Sequence, residues 1–357
     1  MSQSKAQAKQ PVNILNWILD HAMILIIILM AIYVEIRRPA FFGVASLVNI
    51  IQLTAARLPM ALGVAGCIIL AGTDLSGGRV AGLTGFISAI LLERVVTAAG
   101  AVNTTRFIGE GTPLYFLSRF VGSGVFIPFV ILTVMLVGTC VGAVNGFCMG
   151  KFKLHPFIVT LATQLITYGV YLTVSGSKQI NSLDPSYNTN FVTKSLFKIG
   201  TTSVPVYVLL AVIITIIMWV VWNKTTFGKN MFAVGSNEEA ARVSGVNVLM
   251  TIIGVFMLAG ALYGYTGFIE AARIGSAGPS LGLSYENDAI SAVVIGGVSF
   301  VGGTGKISGV ILGVFMMQLI MSGMTFLGIS GNVTYIIKGA VILIACILDM
   351  RKYRAKK

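Results

Sequence analysis

VPVYVLLAVIITIIMWVVW, from Val204 to Trp222, runs for 19 positions without a charge. As a helix rising about 1.5 Å per residue, it reaches across most of a hydrocarbon core roughly 30 Å thick. Longer uncharged runs occupy Gly124 to Gly150, Val243 to Ile269 and Ile307 to Ile337. The chain has 357 residues, of which 56% are hydrophobic and 10% charged, too much apolar surface for one water-soluble core. It reads as an all-α integral membrane protein.

Ten spans are expected, near residues 14–35, 46–73, 79–99, 124–150, 156–175, 204–222, 250–271, 286–301, 305–327 and 330–348. Residues 39–73 contain Arg57 and Pro59, so an interfacial helix followed by a broken span is an alternative there. The whole of 1–357 is expected to form a single transmembrane domain, flanked by a polar segment over 1–13 and a basic tail over 349–357. The start carries Lys5 and Lys9 and lacks the small-residue cleavage site of a removable signal peptide, so the first span is expected to stay as an anchor.

Arg351, Lys352, Arg354, Lys356 and Lys357 place the C-terminus on the cytoplasmic side, and an even span count puts the N-terminus there too. Lys151, Lys153 and the loop 223–248 then face the cytoplasm as well, whereas Arg37 and Arg38 fall outside, against the trend. The net charge of +13 is spread over short loops and the tail rather than gathered into a stripe, so it argues for membrane orientation and against nucleic acid. Cys67, Cys140, Cys148 and Cys346 all fall within spans as small packing residues, and neither His21 nor His155 belongs to a metal-ligand pattern.

Gly138, Gly142, Gly146 and Gly150 repeat every fourth residue and line one helix face, as do Gly305, Gly309 and Gly313. Such faces let helices approach closely in lipid, where no hydrophobic force drives them together, and packing suffices to explain them. Two glycine-rich interruptions carry more information: GTDLSGGR, Gly72 to Arg79, and GGVSFVGGTGK, Gly296 to Lys306. Irregular backbone at membrane depth is tolerated only where protein or a water-filled cavity satisfies it, which points to a translocation route. A shift of 225 lays Gly72, Gly77 and Gly78 on Gly297, Gly302 and Gly303, so an internal repeat is possible.

Asp74, beside Ser76 and Gly77, is costly in lipid and a candidate for the route, with Arg79 as its nearest partner in sequence. Glu286 and Asp288, in SYENDAISAVVIGG, have equal standing; for all three a structural pair is the competing reading. GGTGKIS is not a phosphate cradle, because Phe300 occupies the first glycine position and Ile307 follows Lys306. The sequence also offers no Ser-His-Asp set, metal cluster or paired carboxylates, so the chain is not expected to be an enzyme or to hold a cofactor.

One short charged stretch stands apart: GSNEEAARVSGV, Gly235 to Val246. Ser236 and Glu239 have capping-box spacing, which starts a helix at Asn237; Glu238 and Glu239 suit its positive end, Arg242 its negative end, and Gly245 a left-handed closing residue. Such a helix is too short to span the membrane and marginal alone in water, so it needs a partner. Ala240, Ala241 and Ser244 would seat it in a groove, with Glu238, Glu239 and Arg242 setting register.

Three long blocks, LGVAGCIILAGTDLSGGRVAGL, NKTTFGKNMFAVGSNEEAARVSGVNV and YENDAISAVVIGGVSFVGGTGKISGVILG, resemble the membrane subunits of bacterial ATP-binding-cassette sugar importers of the ribose, galactose and xylose type. GTDLSGGR and KLHPFIVTLAT look most like the galactose and methyl-galactoside branch; a ribose, other pentose or nucleoside importer is the alternative within the family. The resemblance implies an inner-membrane homodimer, two copies of a separate ATPase that binds ATP and Mg, and a periplasmic sugar-binding protein. It also implies that GSNEEAARVSG is the segment that docks on the ATPase. Within the spans, Asn145, Gln164, Tyr168, Tyr263 and Tyr265 are candidates to contact sugar hydroxyls or faces, against ordinary packing. From a different class, an ion-coupled secondary sugar transporter would use Asp74, Glu286 or Asp288 as the proton carrier.

Overall fold

In lipid every backbone N–H and C=O has to be satisfied within its own segment, so the apolar runs fold as helices. The computed structural model describes residues 22–96, 102–104, 126–181, 183–184 and 187–354. Residues 1–21, which hold the expected N-terminal segment, the start of the first span and His21, lie outside the described residues, as do the last three residues of the tail.

In chain order the elements are α1 (Ala22–Arg37), α2 (Val44–Ile69), α3 (Gly77–Leu92), β1 (Arg94–Val96), β2 (Val102–Thr104), α4 (Phe126–Phe152) and α5 (Pro156–Ser175). After a π turn at Asn188–Val192 come β3 (Ser195–Ile199), β4 (Thr202–Pro205), α6 (Val206–Lys224), α7 (Thr226–Ser236), α8 (Glu238–Val243), α9 (Val248–Ile274), α10 (Tyr285–Ile295), α11 (Ile307–Phe326) and α12 (Gly331–Arg354).

Each expected span meets a helix. Among the described residues six of them, α2, α4, α5, α6, α9 and α11, are long and apolar enough to cross a membrane, and α3 and the Gly331–Ile347 part of α12 are shorter apolar helices. Three boundaries differ from expectation. Helix α2 runs unbroken through Arg57 and Pro59, so that stretch is one helix and the break comes only after Ile69. Helix α3 stops at Leu92, because Glu93 turns extended and bridges to Leu183. Helix α10 has 11 residues, roughly 16 Å at 1.5 Å each, and so cannot cross alone.

Helix α9 is the hub, packed on α4, α3 and α2. The glycine face of α4 explains how it gets so close. A Cβ on Gly138 would overlap the Gly260 carbonyl, one on Gly142 the Phe256 carbonyl, one on Gly146 would sit 2.6 Å from the Ile253 Cα, and one on Gly150 would sit 2.7 Å from Leu249 Cδ1. The four-residue repeat therefore descends α9 turn by turn, backbone against backbone, as its sequence spacing predicts. Gly309 and Gly313 do the same on α11, against Gly296 and Ala292 of α10 and its end.

Two small antiparallel hairpins, β1–β2 and β3–β4, cap one end of the bundle, which we call the hairpin end. There Gln52 donates to the Ser203 carbonyl at 2.8 Å, and the buried Tyr187 hydroxyl donates to the Phe268 carbonyl at 2.6 Å. Burial pushes the Tyr187 phenol above its ordinary pKa, so it stays a neutral donor. Helices α7 and α8 lie at the opposite end, where the start of α9 meets Gly150 at the end of α4.

Candidate functional site

Polar side chains inside this apolar bundle gather at three places. The first is the break after α2. Asp74 is buried, and its Oδ1 accepts from the Ser76 backbone N–H at 2.9 Å and the Ser76 hydroxyl at 2.6 Å. Asn145 of α4 donates to Ser76 Oγ at 3.0 Å and accepts from Thr163 of α5 at 2.6 Å. The chain of bonds joins the break to two spanning helices. The Tyr263 hydroxyl of α9 faces both Asp74 and Cys67. Gly77 makes room here, since a Cβ would meet the Tyr263 ring at 3.0 Å.

The second place is the start of α10, where buried Glu286 accepts from Gln164 of α5 at 3.4 Å while its Oε2 finds no partner among the described residues. This carboxylate packs against the backbone of Gly78, where any side chain would overlap it. Arg79 does not pair with Asp74 as its nearness in sequence suggests. Its guanidinium lies 3.9 Å above the Tyr168 ring and donates to the Pro279 carbonyl at 3.3 Å. The reason is direction: Asp74 is turned inward by Ser76, while Arg79, the third residue of α3, lies on the face toward α5. Asp288, two residues beyond Glu286, is held by Lys338 of α12 at 2.8 Å.

The third place was not legible as a site in the sequence. Glu270, fully buried on α9, takes Arg57 Nε on one oxygen at 2.8 Å and Arg273 Nη2 on the other at 2.9 Å. Arg57 also lies 3.3 Å over the Tyr285 ring at the start of α10. Only the Glu270 and Arg273 spacing, one helical turn, hinted at a pair. A narrow cleft lined by Arg57, Tyr285, Asp288 and Gln318 lies between α2, α10 and α11.

Of the route candidates, the structure joins Asp74, Ser76, Gly77 and Asn145 at the break and Gln164 with Glu286 across α5 and α10, while Tyr168 faces Arg79 and Asp288 pairs with Lys338. The proposed repeat does not extend to local geometry. Helices α2 and α10 end within one position of each other under that shift, but Gly77 and Gly78 open α3, whereas Gly302 and Gly303 sit in a loop with φ of 91° and 70°.

The stretch after α7 is a helix, with one correction. Asn237 is the N-cap, its Oδ1 accepting from the Ala240 N–H at 2.9 Å, and α8 begins at Glu238. Ser236 still belongs to α7 and bonds back to the Phe232 carbonyl at 2.9 Å, so the capping box with Glu239 does not form. Gly245 closes the helix at φ +84°, a conformation costly for any residue with a Cβ. Ala241 is buried against Val234 and Val248 of its own chain, so it holds α8 on the bundle rather than facing outward. The exposed face carries Glu238, Glu239, Ala240, Arg242 and Ser244, together with Val243, which is 89% exposed. Arg242 pairs with Glu238 and, at 3.0 Å, with Glu239; exposed pairs of this kind are worth about 0–1 kcal/mol and exchange readily for another partner.

The family profile described as branched-chain amino acid transport system, permease component, matches residues 46–346. The galactose/methyl galactoside import permease protein of Escherichia coli strain K12 is 39% identical over 340 residues, covering 94% of each chain. Its namesake in Haemophilus influenzae is 38% identical over 322 residues, 89% of this chain and 90% of that one. The ribose import permease protein of Escherichia coli strain K12 is 31% identical over 337 residues, 94% of this chain and 95% of that one. No solved structure matches. With ten helices where spans were expected and a profile match over most of its length, the chain is a multi-pass membrane protein that belongs to the permease-component family of the branched-chain amino acid transport system type.

Proposed function

We propose that this chain is the membrane-spanning subunit of an ATP-binding-cassette importer for a monosaccharide of the galactose and methyl-galactoside class. The observation that carries the reading is α8: a capped helix held to the bundle by Ala241, with Val243 bare on its outer face between weakly paired charges. An exposed apolar side chain ringed by exchangeable charges suits a protein partner. In this reading loop 223–248 and both termini are cytoplasmic, α8 docks on a separate ATPase that binds ATP and Mg, and a second copy of the chain completes the channel. A periplasmic binding protein delivers the sugar at the hairpin end. Helix α8 and its flanking residues, from Ser236 to Gly245, carry the coupling; the break at Asp74 and Gln164, Tyr168 and Glu286 line the route. A sugar in transit needs only weak contacts, which the buried carboxylates of Asp74 and Glu286 and the ring of Tyr168 would supply to its hydroxyls and faces.

The test is Glu239→Ala with Arg242→Ala in the complete transporter. Sugar-stimulated ATP hydrolysis and uptake should both fall; if both persist unchanged, the docking role is wrong.

The same buried carboxylates favour a second reading, ion-coupled transport through Asp74 or Glu286. Reconstituting the chain alone separates the two: sugar accumulation driven by a proton gradient without any ATPase would replace the importer reading.

A further inference from the structure

The second glycine-rich interruption touches the end of α2, just before the first interruption begins, at the end of the bundle where α8 begins. The Gly303 N–H donates to the Ile69 carbonyl, the last residue of α2, at 2.8 Å. Gly235, one residue before the end of α7, lies so close to both that a Cβ there would overlap the Ile69 carbonyl and come within 3.1 Å of the Gly303 nitrogen. A Cβ on Gly302 would stand 2.6 Å from the Gly235 carbonyl and 3.0 Å from the Ala71 Cβ, and one on Gly303 would overlap the Ser236 hydroxyl. Gly302 and Gly303 are both at positive φ, so the backbone and the lack of a side chain are required together. Three backbones therefore meet with nothing between them: the end of α2, the end of α7 and the loop from α10 to α11.

What each of these backbones leads to gives the contact its meaning. From Ser236 the chain passes through Asn237 directly into α8. From Ile69 it passes into the break that holds Asp74. From Gly302 and Gly303 it leads back to α10, whose first turn carries Glu286 and Asp288. We propose that Gly235, Gly302 and Gly303 form a rigid clasp that carries a displacement of α8 to the Asp74 break and to α10 at once, making them positioning residues for transport. Close-packed backbone transmits a push because it has no rotamer through which to yield. The proposal rests on the docking reading of α8 given above.

The experiment uses the assembled transporter in proteoliposomes and the substitution Gly303→Ala. Basal ATP hydrolysis and co-purification of the subunits should be retained, while sugar-stimulated hydrolysis and uptake fall at least about tenfold, the factor that roughly 1.4 kcal/mol of lost coupling gives. Full uptake by Gly303→Ala overturns the clasp. If that variant does not assemble, hydrogen exchange on the wild-type complex decides. The Gly303 amide should stay protected in both the ATP-bound and nucleotide-free states, and its exposure in either state overturns the proposal. The two readings fail separately. Unchanged transport in the Glu239→Ala, Arg242→Ala pair refutes docking, whereas loss there with full uptake in Gly303→Ala refutes the clasp alone.

Discussion

Arg57 on α2 and Glu270 on α9 meet at 2.8 Å inside the bundle, and Arg273 takes the second carboxylate oxygen at 2.9 Å. One buried carboxylate thus serves two guanidinium groups, and the ring of Tyr285 faces the cation of Arg57 at 3.3 Å. The group ties α2, α9 and the start of α10 together where apolar packing alone would not fix their register.

Glu270→Gln leaves two cations with no carboxylate between them in a low-dielectric interior. The expected cost is about 3–5 kcal/mol. Unfolding of the detergent-purified protein measures it, and combining Glu270→Gln with Arg57→Gln should cost less than the two single changes added together. Strict additivity would show that the pair is not coupled.

Gly142, like Gly138, marks one of the tightest points of the α4 and α9 contact, here against the Phe256 carbonyl. Gly142→Val forces these backbones apart and should destabilise by about 1–3 kcal/mol, read as a lower thermal midpoint and a larger aggregated fraction on size exclusion. Gly169, which has open space around its position, is the control: Gly169→Val should leave the midpoint nearly unchanged.

Asn145 bridges Ser76 and Thr163. Ser76 keeps Asp74, and Thr163 keeps the Val159 carbonyl at 3.0 Å, so Asn145→Leu should cost only about 1 kcal/mol in stability. Its effect on uptake should be larger than that figure suggests, because the break loses its tie to α4 and keeps only the Thr160 bond to α5. Equal loss of stability and transport would make Asn145 a packing residue only.

The N-cap of α8 separates two neighbours. Asn237→Ala removes the acceptor for the Ala240 N–H and should cost about 1 kcal/mol, speeding hydrogen exchange over Ala240 to Val243 roughly fivefold. Ser236→Ala should change exchange in α8 little, since that hydroxyl serves α7. The reverse order would restore Ser236 as the cap.

Helix positions were legible because a long uncharged run has one stable fate in lipid, and the α4 face because Gly138 to Gly150 recur at helical spacing. The left-handed close at Gly245 was legible for the same local reason, only glycine adopting it cheaply. Ser236 misled because two short helices abut there, so the capping residue of the second falls one position later. The shortness of α10 was hidden because its apolar composition continues past its end into Gly296 and Gly297.

Sequence by itself determined where the apolar helices lie, which helix faces are smooth enough to touch, and that one short charged helix sits among them. Tertiary structure alone decided who pairs with whom: Asp74 with Ser76 and not Arg79, Arg57 with Glu270, Gly303 with Ile69. Spacing along a chain reports only on neighbours within a turn or two. In an interior without water, a polar group bonds to whatever donor or acceptor the packing of other helices brings within about 3 Å.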